Sequence, residues 1–288
     1  GETKQMEIVN NIDSIRQKLA CSRRQGKSIG LVPTMGFLHE GHLSLVRRAA
    51  KENDIVVVSI FVNPTQFGPQ EDFESYPRDL ERDALLAEEA GANFIFYPTV
   101  GEMYPQKYET FVEVTELTKE LCGRSRPGHF RGVTTVVTKL FNIILPDKAY
   151  FGQKDAQQAI VIQQMVRDLN QNVEICVCPI IREKDGLAMS SRNTYLTPEE
   201  REQSTVLSAS LEMAQQMVEN GERDAARIRK AIEELILSKD KTRIDYVEIV
   251  SAHNLKPIQV LFGKCLIALA VKFGATRLID NIMVTVAQ

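Results

Sequence analysis

Two histidines, His39 and His42, sit three residues apart with Gly41 between them, in the stretch Gly30-Leu-Val-Pro-Thr-Met-Gly-Phe-Leu-His-Glu-Gly-His42. Ser28 to Val32 reads as a short buried strand, and Leu43, Leu45, Val46, Ala49 and Ala50 recur at helical spacing. The pair therefore lies where a strand has ended and a helix begins. A helix start offers unpaired N–H groups and a partial positive charge. Imidazoles beside it add donors suited to an anion such as phosphate. Gly36 and Gly41 permit tight turns and close backbone approach. This stretch lacks the Gly-x-Gly-x-x-Gly and Gly-Lys-Ser/Thr patterns of the common nucleotide loops. A histidine at a helix start also serves as a plain polar cap. A metal is a third use. The chain has four His (39, 42, 129, 253), no His-Glu-x-x-His and no obvious third ligand, which disfavours zinc. The spacing straight after a strand favours the phosphate role.

Other candidates lie further along. Lys154-Asp155 would set an ammonium on a phosphate and a carboxylate on a ribose hydroxyl, or be an exposed charge pair. Ser190-Ser191-Arg192 offers two hydroxyls and a guanidinium fork, good phosphate ligands, or a domain-linking turn. Asn63 and Gln66 suit a small polar substrate, or stabilise their own loop. The run with Arg124, Arg126, His129 and Arg131 reads as a solvated basic loop or as a wall for an anionic substrate.

These residues need elements to position them. Ile12, Ile15, Leu19 and Ala20 mark a first helix that stops near Gly26. Asp54 to Val62 is a continuous apolar run, as in a central parallel strand covered on both faces. A helix is expected over 79–90, ending at Gly91, and a strand at 94–97. After the basic loop 121–132, a stripe of Val133, Val136, Val137, Leu140 and Ile144 marks another helix. A strand at 149–151, a helix to about 169 and a strand at 173–178 follow. Strands alternating with helices indicate an α/β doubly wound sheet, whose ligands bind beyond the C-terminal strand ends. The loops 33–42, 63–67 and 152–155 are expected to converge there.

The texture changes near residue 183. Thr197-Pro-Glu-Glu200 has capping-box form. Two amphipathic helices follow, and then three strands near 244–250, 265–271 and 277–286. This reads as a smaller α+β domain.

Composition excludes several classes. The 288 residues suffice for two domains. Apolar content of 43% and charged content of 25% are ordinary for a soluble globular protein. A net charge of −3 argues against an extended nucleic-acid surface. No apolar run approaches 18 residues and no signal peptide is seen. The five Cys (21, 122, 176, 178, 265) are scattered and read as buried reduced thiols of a cytosolic protein.

Five segments together resemble one family. Pro33-Thr-Met-Gly-Phe-Leu-His-Glu-Gly-His42, Asn63-Pro-Thr-Gln-Phe67, Arg126-Pro-Gly-His-Phe-Arg-Gly132, Tyr150-Phe-Gly-Gln-Lys-Asp155 and Met189-Ser-Ser-Arg-Asn193 resemble the pantothenate synthetases (pantoate–β-alanine ligases) in order and spacing. The wider relatives are nucleotidyltransferases and class I aminoacyl-tRNA synthetases. Their His-x-Gly-His and Lys-Met-Ser-Lys-Ser signatures correspond in role to 39–42 and 189–192. Here the second has become Met-Ser-Ser-Arg, and Gln153 stands where relatives often carry Glu.

The resemblance implies a Rossmann-like ATP- and pantoate-binding domain over residues 1–182. A smaller α+β C-terminal domain over 183–288 would close over the ATP site. It implies ATP contacts by Met35, Gly36, Phe37, Leu38, His39, Glu40, Gly41 and His42. Gly152, Gln153, Lys154 and Asp155 join them, as do Ile181, Met189, Ser190, Ser191 and Arg192. His39, His42, Lys154, Ser190, Ser191 and Arg192 would serve catalysis, with His42 as proton donor. Gln66 and Gln158 would bind pantoate, Gln66 also β-alanine, and Asn63 would assist at the substrate site. Mg²⁺ as cofactor, a homodimer and the cytoplasm are implied too, with the metal ligands unassigned. The implied reaction makes pantoyl adenylate and then pantothenate. A transfer of AMP or CMP to a phosphorylated alcohol, and a non-catalytic nucleotide-binding role, are the alternatives.

Elementary chemistry fits the implied reaction. A carboxylate of pKa about 4 is ionised at neutral pH, so adenylation needs charge neutralisation rather than a base. Each well-placed donor is worth about 3 kcal/mol, or about a hundredfold in rate. An amine of pKa about 10 is less than about one part in a thousand neutral at pH 7. The second step therefore needs a proton acceptor, and the sequence leaves it open.

Overall fold

The computed structural model describes residues 5–287. Its contacts divide the chain into two units. The first comprises the chain up to Glu116, Arg126–Gln153 and Gln158–Pro179; the second comprises Leu117–Ser125, Lys154–Gln157 and the chain from Ile180 onward.

The first unit opens with strand β1 (Glu7–Val9), helix α1 (Ile12–Arg24), β2 (Ile29–Thr34), α2 (Glu40–Glu52) and β3 (Ile55–Ile60). Then come α3 (Leu80–Ala90), β4 (Phe94–Phe96) and the short α4 (Val100–Met103). The one-turn α5 (Cys122–Ser125) belongs to the second unit. Helix α6 (His129–Ile144), β5 (Lys148–Gly152), α7 (Ala156–Asp168) and β6 (Glu174–Cys178) follow. Helix α6 starts four residues before the apolar stripe that announced it. Its first turn carries His, Arg and Gly, which give no periodic signal.

The six strands form one parallel sheet in the order β1-β4-β3-β2-β5-β6. Every residue of β3 is buried, as a strand covered on both faces requires. The chain runs from β2 to its neighbour β3, and β5 later joins the other edge of β2. The strand order therefore reverses at β2, which makes the β2/β5 boundary the switch point, the place where sheets of this kind bind ligands. Leu38, Leu43, Val46 and Ala49 pack with Val32, Val58 and Ile95 in the core beneath it. Burying a leucine of this kind contributes about 2 kcal/mol.

In the second unit, Thr197 and Glu200 form the expected capping box at the start of α8 (Pro198–Gln203). Helices α9 (Val206–Glu219) and α10 (Ala225–Leu237) precede strands β7 (Thr242–Ser251), β8 (Gly263–Phe273) and β9 (Thr276–Val286). These three form an antiparallel sheet in chain order. Leu207, Leu211 and Val218 of α9 and Ile228, Ile232 and Ile236 of α10 share a core with Val247, Ile267 and Leu269 of the sheet. Among the described residues no helix is long and apolar enough to cross a membrane. All five cysteines are free; four are buried, but Cys21 is exposed on the polar face of α1.

Candidate active site

The two histidines cap α2 with their own rings. His39 Nδ1 accepts the Gly41 N–H at 3.0 Å, and His42 Nδ1 accepts the His39 N–H at 3.1 Å. The His42 and Leu43 amides bond to the His39 carbonyl. The first-turn amides that the sequence offered to an anion are thus engaged within the helix start. A backbone N–H only donates, so both Nδ1 atoms are acceptors and each neutral ring carries its proton on Nε2. The rings stand 4.0 Å apart, tilted by 41°. Two Nε2–H groups on the positive end of a helix dipole are donors matched to phosphate oxygens. Gly41 is required beside them, because a Cβ there would lie 2.6 Å from His39 Cε1.

The preceding turn is held from α3. Asp83 is buried, and its carboxylate accepts the Phe37 and Leu38 N–H groups, each at 2.8 Å. Burial pushes its carboxyl above the usual range, while the Leu38 and Phe37 N–H groups and the Arg82 charge hold it back. Arg82 donates to the Leu38 carbonyl at 2.9 Å and lies over the Phe37 ring. Gly36 and Phe37 both adopt positive φ, +82° and +50°. A Cβ on Gly36 would meet Ile60 Cγ2 at 2.9 Å. The Leu38 side chain is wholly in the core, so any ligand contact it makes is through its backbone. Glu40 is exposed and pairs with Arg47.

The loop after β3 carries Asn63 and Gln66. Asn63 is 1% exposed. Its Oδ1 accepts from Thr65 N and Oγ1, and its Nδ2 donates to Gln66 Oε1 and Gly132 O. The Asn63 carboxamide therefore holds Gln66 in place instead of facing outward. Gln66 is half-buried, and its Nε2 lies 3.6 Å from Met35 Sδ, which joins this loop to the His loop. A Cβ on Gly132 would come within 2.5 Å of the Thr65 carbonyl, so α6 abuts the loop backbone directly.

At the end of β5, next to β2, a Cβ on Gly152 would meet nothing within 4 Å. Its φ is not positive, so the protein itself imposes no need for glycine there. Gln153 follows it, and Gln158 is half-buried in the first turns of α7.

The second unit holds the remaining candidates. Lys154 is fixed through its carbonyl, which accepts Asn281 Nδ2 at 3.0 Å. Next to Asn281 on β9, buried Asp280 makes a two-pronged pair with Arg182 at 2.7 and 2.9 Å. Arg182 follows Ile181, whose carbonyl takes the Met189 N–H. Ser190 Oγ caps the turn Ser191–Tyr195 by accepting the Arg192 N–H, and Ser191 is buried. Adjacent residues of one strand thus anchor both Lys154 and the 181–192 segment. Sequence reasoning missed Asp280 and Asn281, whose partners lie 98 and 127 residues away.

A parallel sheet whose switch point carries two Nε2-protonated imidazoles at a helix start defines a nucleotide-handling α/β enzyme. A sequence profile of the pantoate–β-alanine ligases matches residues 7–283. The chain belongs to the pantoate–β-alanine ligase family. Pantothenate synthetase of Acetivibrio thermocellus is 58% identical over 281 residues, spanning 98% of this chain and 100% of its own length. That of Thermotoga neapolitana is 59% identical over 276 residues, spanning 96% and 99%. The crystal structure of pantothenate synthetase from Thermus thermophilus matches with TM-score 0.92 at 45% identity, covering 96% of this chain and 99% of that one. Pantoate–β-alanine ligase from Francisella tularensis, complexed with β-γ ATP and β-alanine, matches with TM-score 0.79 at 34% identity, covering 96% and 97%.

Proposed function

We propose that this chain joins D-pantoate to β-alanine in two steps driven by ATP. In the first, a pantoate carboxylate oxygen attacks the α-phosphorus, the bond to the β-phosphate bridge breaks, and pyrophosphate leaves. The product is pantoyl adenylate. In the second, the β-alanine amine attacks the acyl carbon, the bond from that carbon to the AMP oxygen breaks, and pantothenate, AMP and a proton are released.

The observation that carries this reading is the imidazole pair at the start of α2, with the ring protons directed to Nε2 by the caps. His39 and His42 donate to the phosphates, and His42 Nε2–H follows the charge that develops on the leaving group. Lys154 and Arg192 add positive charge, and Ser190 and Ser191 add hydroxyls. Met35 to Leu38, Glu40 and Gly41, with Gly152, Gln153, Asp155, Ile181 and Met189, complete the nucleotide contacts in this reading. Gln66 and Gln158 take pantoate, and Gln66 also meets β-alanine. Asn63 acts through Gln66, because its own polar atoms are engaged.

Mg²⁺ enters as the complex with ATP. The carboxylates around the His loop are committed elsewhere: Asp83 to two backbone amides, Asp79 to the cap of α3, Glu40 to Arg47. Phosphate oxygens and water would then supply its ligands, and the ion would supply charge neutralisation on the phosphates. A nucleotide- and pantoate-binding first domain, a second domain that serves the nucleotide, assembly as a homodimer and residence in the cytoplasm belong to the same reading, on the family resemblance.

Pantoate labelled with ¹⁸O in its carboxylate tests the chemistry. Attack by that carboxylate leaves one label on the AMP released after amide formation. Unlabelled AMP would rule out the adenylate.

A further inference from the structure

The basic stretch 124–131 separates into parts with different uses. Arg124 pairs with Glu120 and Glu248, and Arg131 lies 3.9 Å over the Phe111 ring. Arg126 and His129 instead turn toward the substrate loop. His129 is buried, and its Nδ1 lies 2.9 Å from the Gln66 carbonyl. A carbonyl only accepts, so Nδ1 carries the proton toward Gln66. In that neutral ring Nε2 is an acceptor, and Arg126 Nη1 stands 3.4 Å from it. Arg126 Nε donates to Glu71 Oε2 at 2.6 Å, and Glu71 Oε1 accepts the Gly68 N–H at 2.7 Å.

The contacts form a closed chain. It begins on the Gly68 amide, runs through Glu71, Arg126 and His129, and ends on the Gln66 carbonyl. The two ends are two residues apart, so the chain pins the backbone that aims the Gln66 carboxamide. Asn63 holds the carboxamide itself, through Nδ2 to Oε1 at 3.1 Å. The Gln66 and Phe67 N–H groups bond back to the Asn63 and Pro64 carbonyls, His129 holds the Gln66 carbonyl, and Glu71 holds the next peptide through the Gly68 N–H.

We propose that Glu71, Arg126 and His129 are positioning residues that orient Gln66 toward the acid and amine substrates without touching either. This rests on the reading that Gln66 contacts pantoate and β-alanine. A carboxamide that must meet a carboxylate or hydroxyl in one geometry loses affinity when its backbone can rotate. The chain of bonds meets the His loop at the 3.6 Å contact of Gln66 Nε2 with Met35 Sδ, while the imidazoles are held by their own caps. The relay therefore governs the KM of the acid and the amine and leaves that of ATP alone.

Steady-state kinetics of the full-length enzyme tests this, with Glu71→Gln, Arg126→Met, His129→Phe and His129→Asn beside the wild type. The expected result for His129→Phe and Arg126→Met is a rise in KM of about tenfold for pantoate and for β-alanine, the size of one lost hydrogen bond, with ATP KM within twofold of wild type. His129→Asn keeps a donor able to reach the Gln66 carbonyl and recovers most of the loss, which a purely structural role would not produce. Glu71→Gln preserves size on a partly exposed side chain and shows the same direction if the larger changes impair folding. Wild-type pantoate KM in both Glu71→Gln and His129→Phe overturns the relay, and so does an equal rise in ATP KM. A wild-type chain without pantoate-dependent pyrophosphate release overturns the ligase reading, and this inference with it.

Discussion

The carboxylate of Asp83, on α3, takes the backbone N–H of Leu38, one residue before His39, at 2.8 Å. Its other oxygen takes the Phe37 N–H, and Phe37 holds a left-handed φ of +50°. A non-glycine residue in that region stores strain that the surroundings must hold. Asp83→Asn sets an amide N–H₂ against one of these backbone donors. ATP KM is predicted to rise about tenfold, with about 1–3 kcal/mol lost in stability. Nucleotide titration and thermal unfolding check it, and an unchanged ATP KM would show that the bracket does not set the His loop.

His42 has two roles that mutation can separate. Its Nδ1 caps α2, and its Nε2–H is assigned to phosphate. His42→Ala removes both, so adenylate formation falls by at least about a hundredfold and the helix start loses about 1 kcal/mol. His42→Asn keeps an acceptor for the His39 N–H but has no donor at the Nε2 position. It is predicted to melt near the wild-type temperature and to be as slow as His42→Ala. A near-normal rate in either variant would remove His42 from the chemistry.

Gly152→Ala probes the other side of the switch point. Its Cβ would meet no protein atom within 4 Å, and its backbone needs no positive φ. The fold is predicted to tolerate alanine without loss of thermal stability. ATP affinity is predicted to fall several-fold, because the methyl group enters space assigned to the nucleotide. Wild-type ATP binding in the folded variant would place the nucleotide elsewhere.

The Glu71–Arg126 pair predicts an acid limit for the order of the substrate loop. Burial raises the Glu71 carboxyl. The Arg126 hydrogen bond and charge, with the Gly68 N–H, together outweigh burial, so the net shift is downward. A carboxyl depressed by folding stabilises the folded form above its unfolded pKa, about 4.3, and loses that contribution as pH falls through the folded value. Hydrogen-exchange protection at Gly68 should therefore hold at neutral pH and decline only as the pH falls below the ordinary glutamate range. In Glu71→Gln the protection should be lower at neutral pH and lack that acid step.

Much of this was legible in the chain. Continuous apolar runs announced β2 and β3, and the spacing after them put the His pair at the start of α2, where it lies, because short-range periodicity and loop chemistry lie in neighbouring residues. Strand β1 escaped notice: Glu7-Ile8-Val9 lies at the sheet edge and is only partly buried, so it lacks the continuous apolar run that marked the equally short Phe-Ile-Phe of β4. The inward turn of Arg126 and His129 was hidden as well. Their partners Glu71 and Gln66 lie 55 and 63 residues away, and local sequence cannot say whether a basic side chain faces solvent or a loop. Asn63 read as a substrate ligand because its type fits one, and only packing against α6 shows its amide engaged within the protein.

The central claim is that pantoate is adenylated before the amine arrives. Excess enzyme is mixed with ATP, Mg²⁺ and D-pantoate in a single turnover, with and without β-alanine, and pyrophosphate and AMP are followed in time. A pyrophosphate burst without β-alanine, with AMP released only after β-alanine is added, is the predicted result. Pyrophosphate that appears only when all three substrates are present would contradict the two-step account.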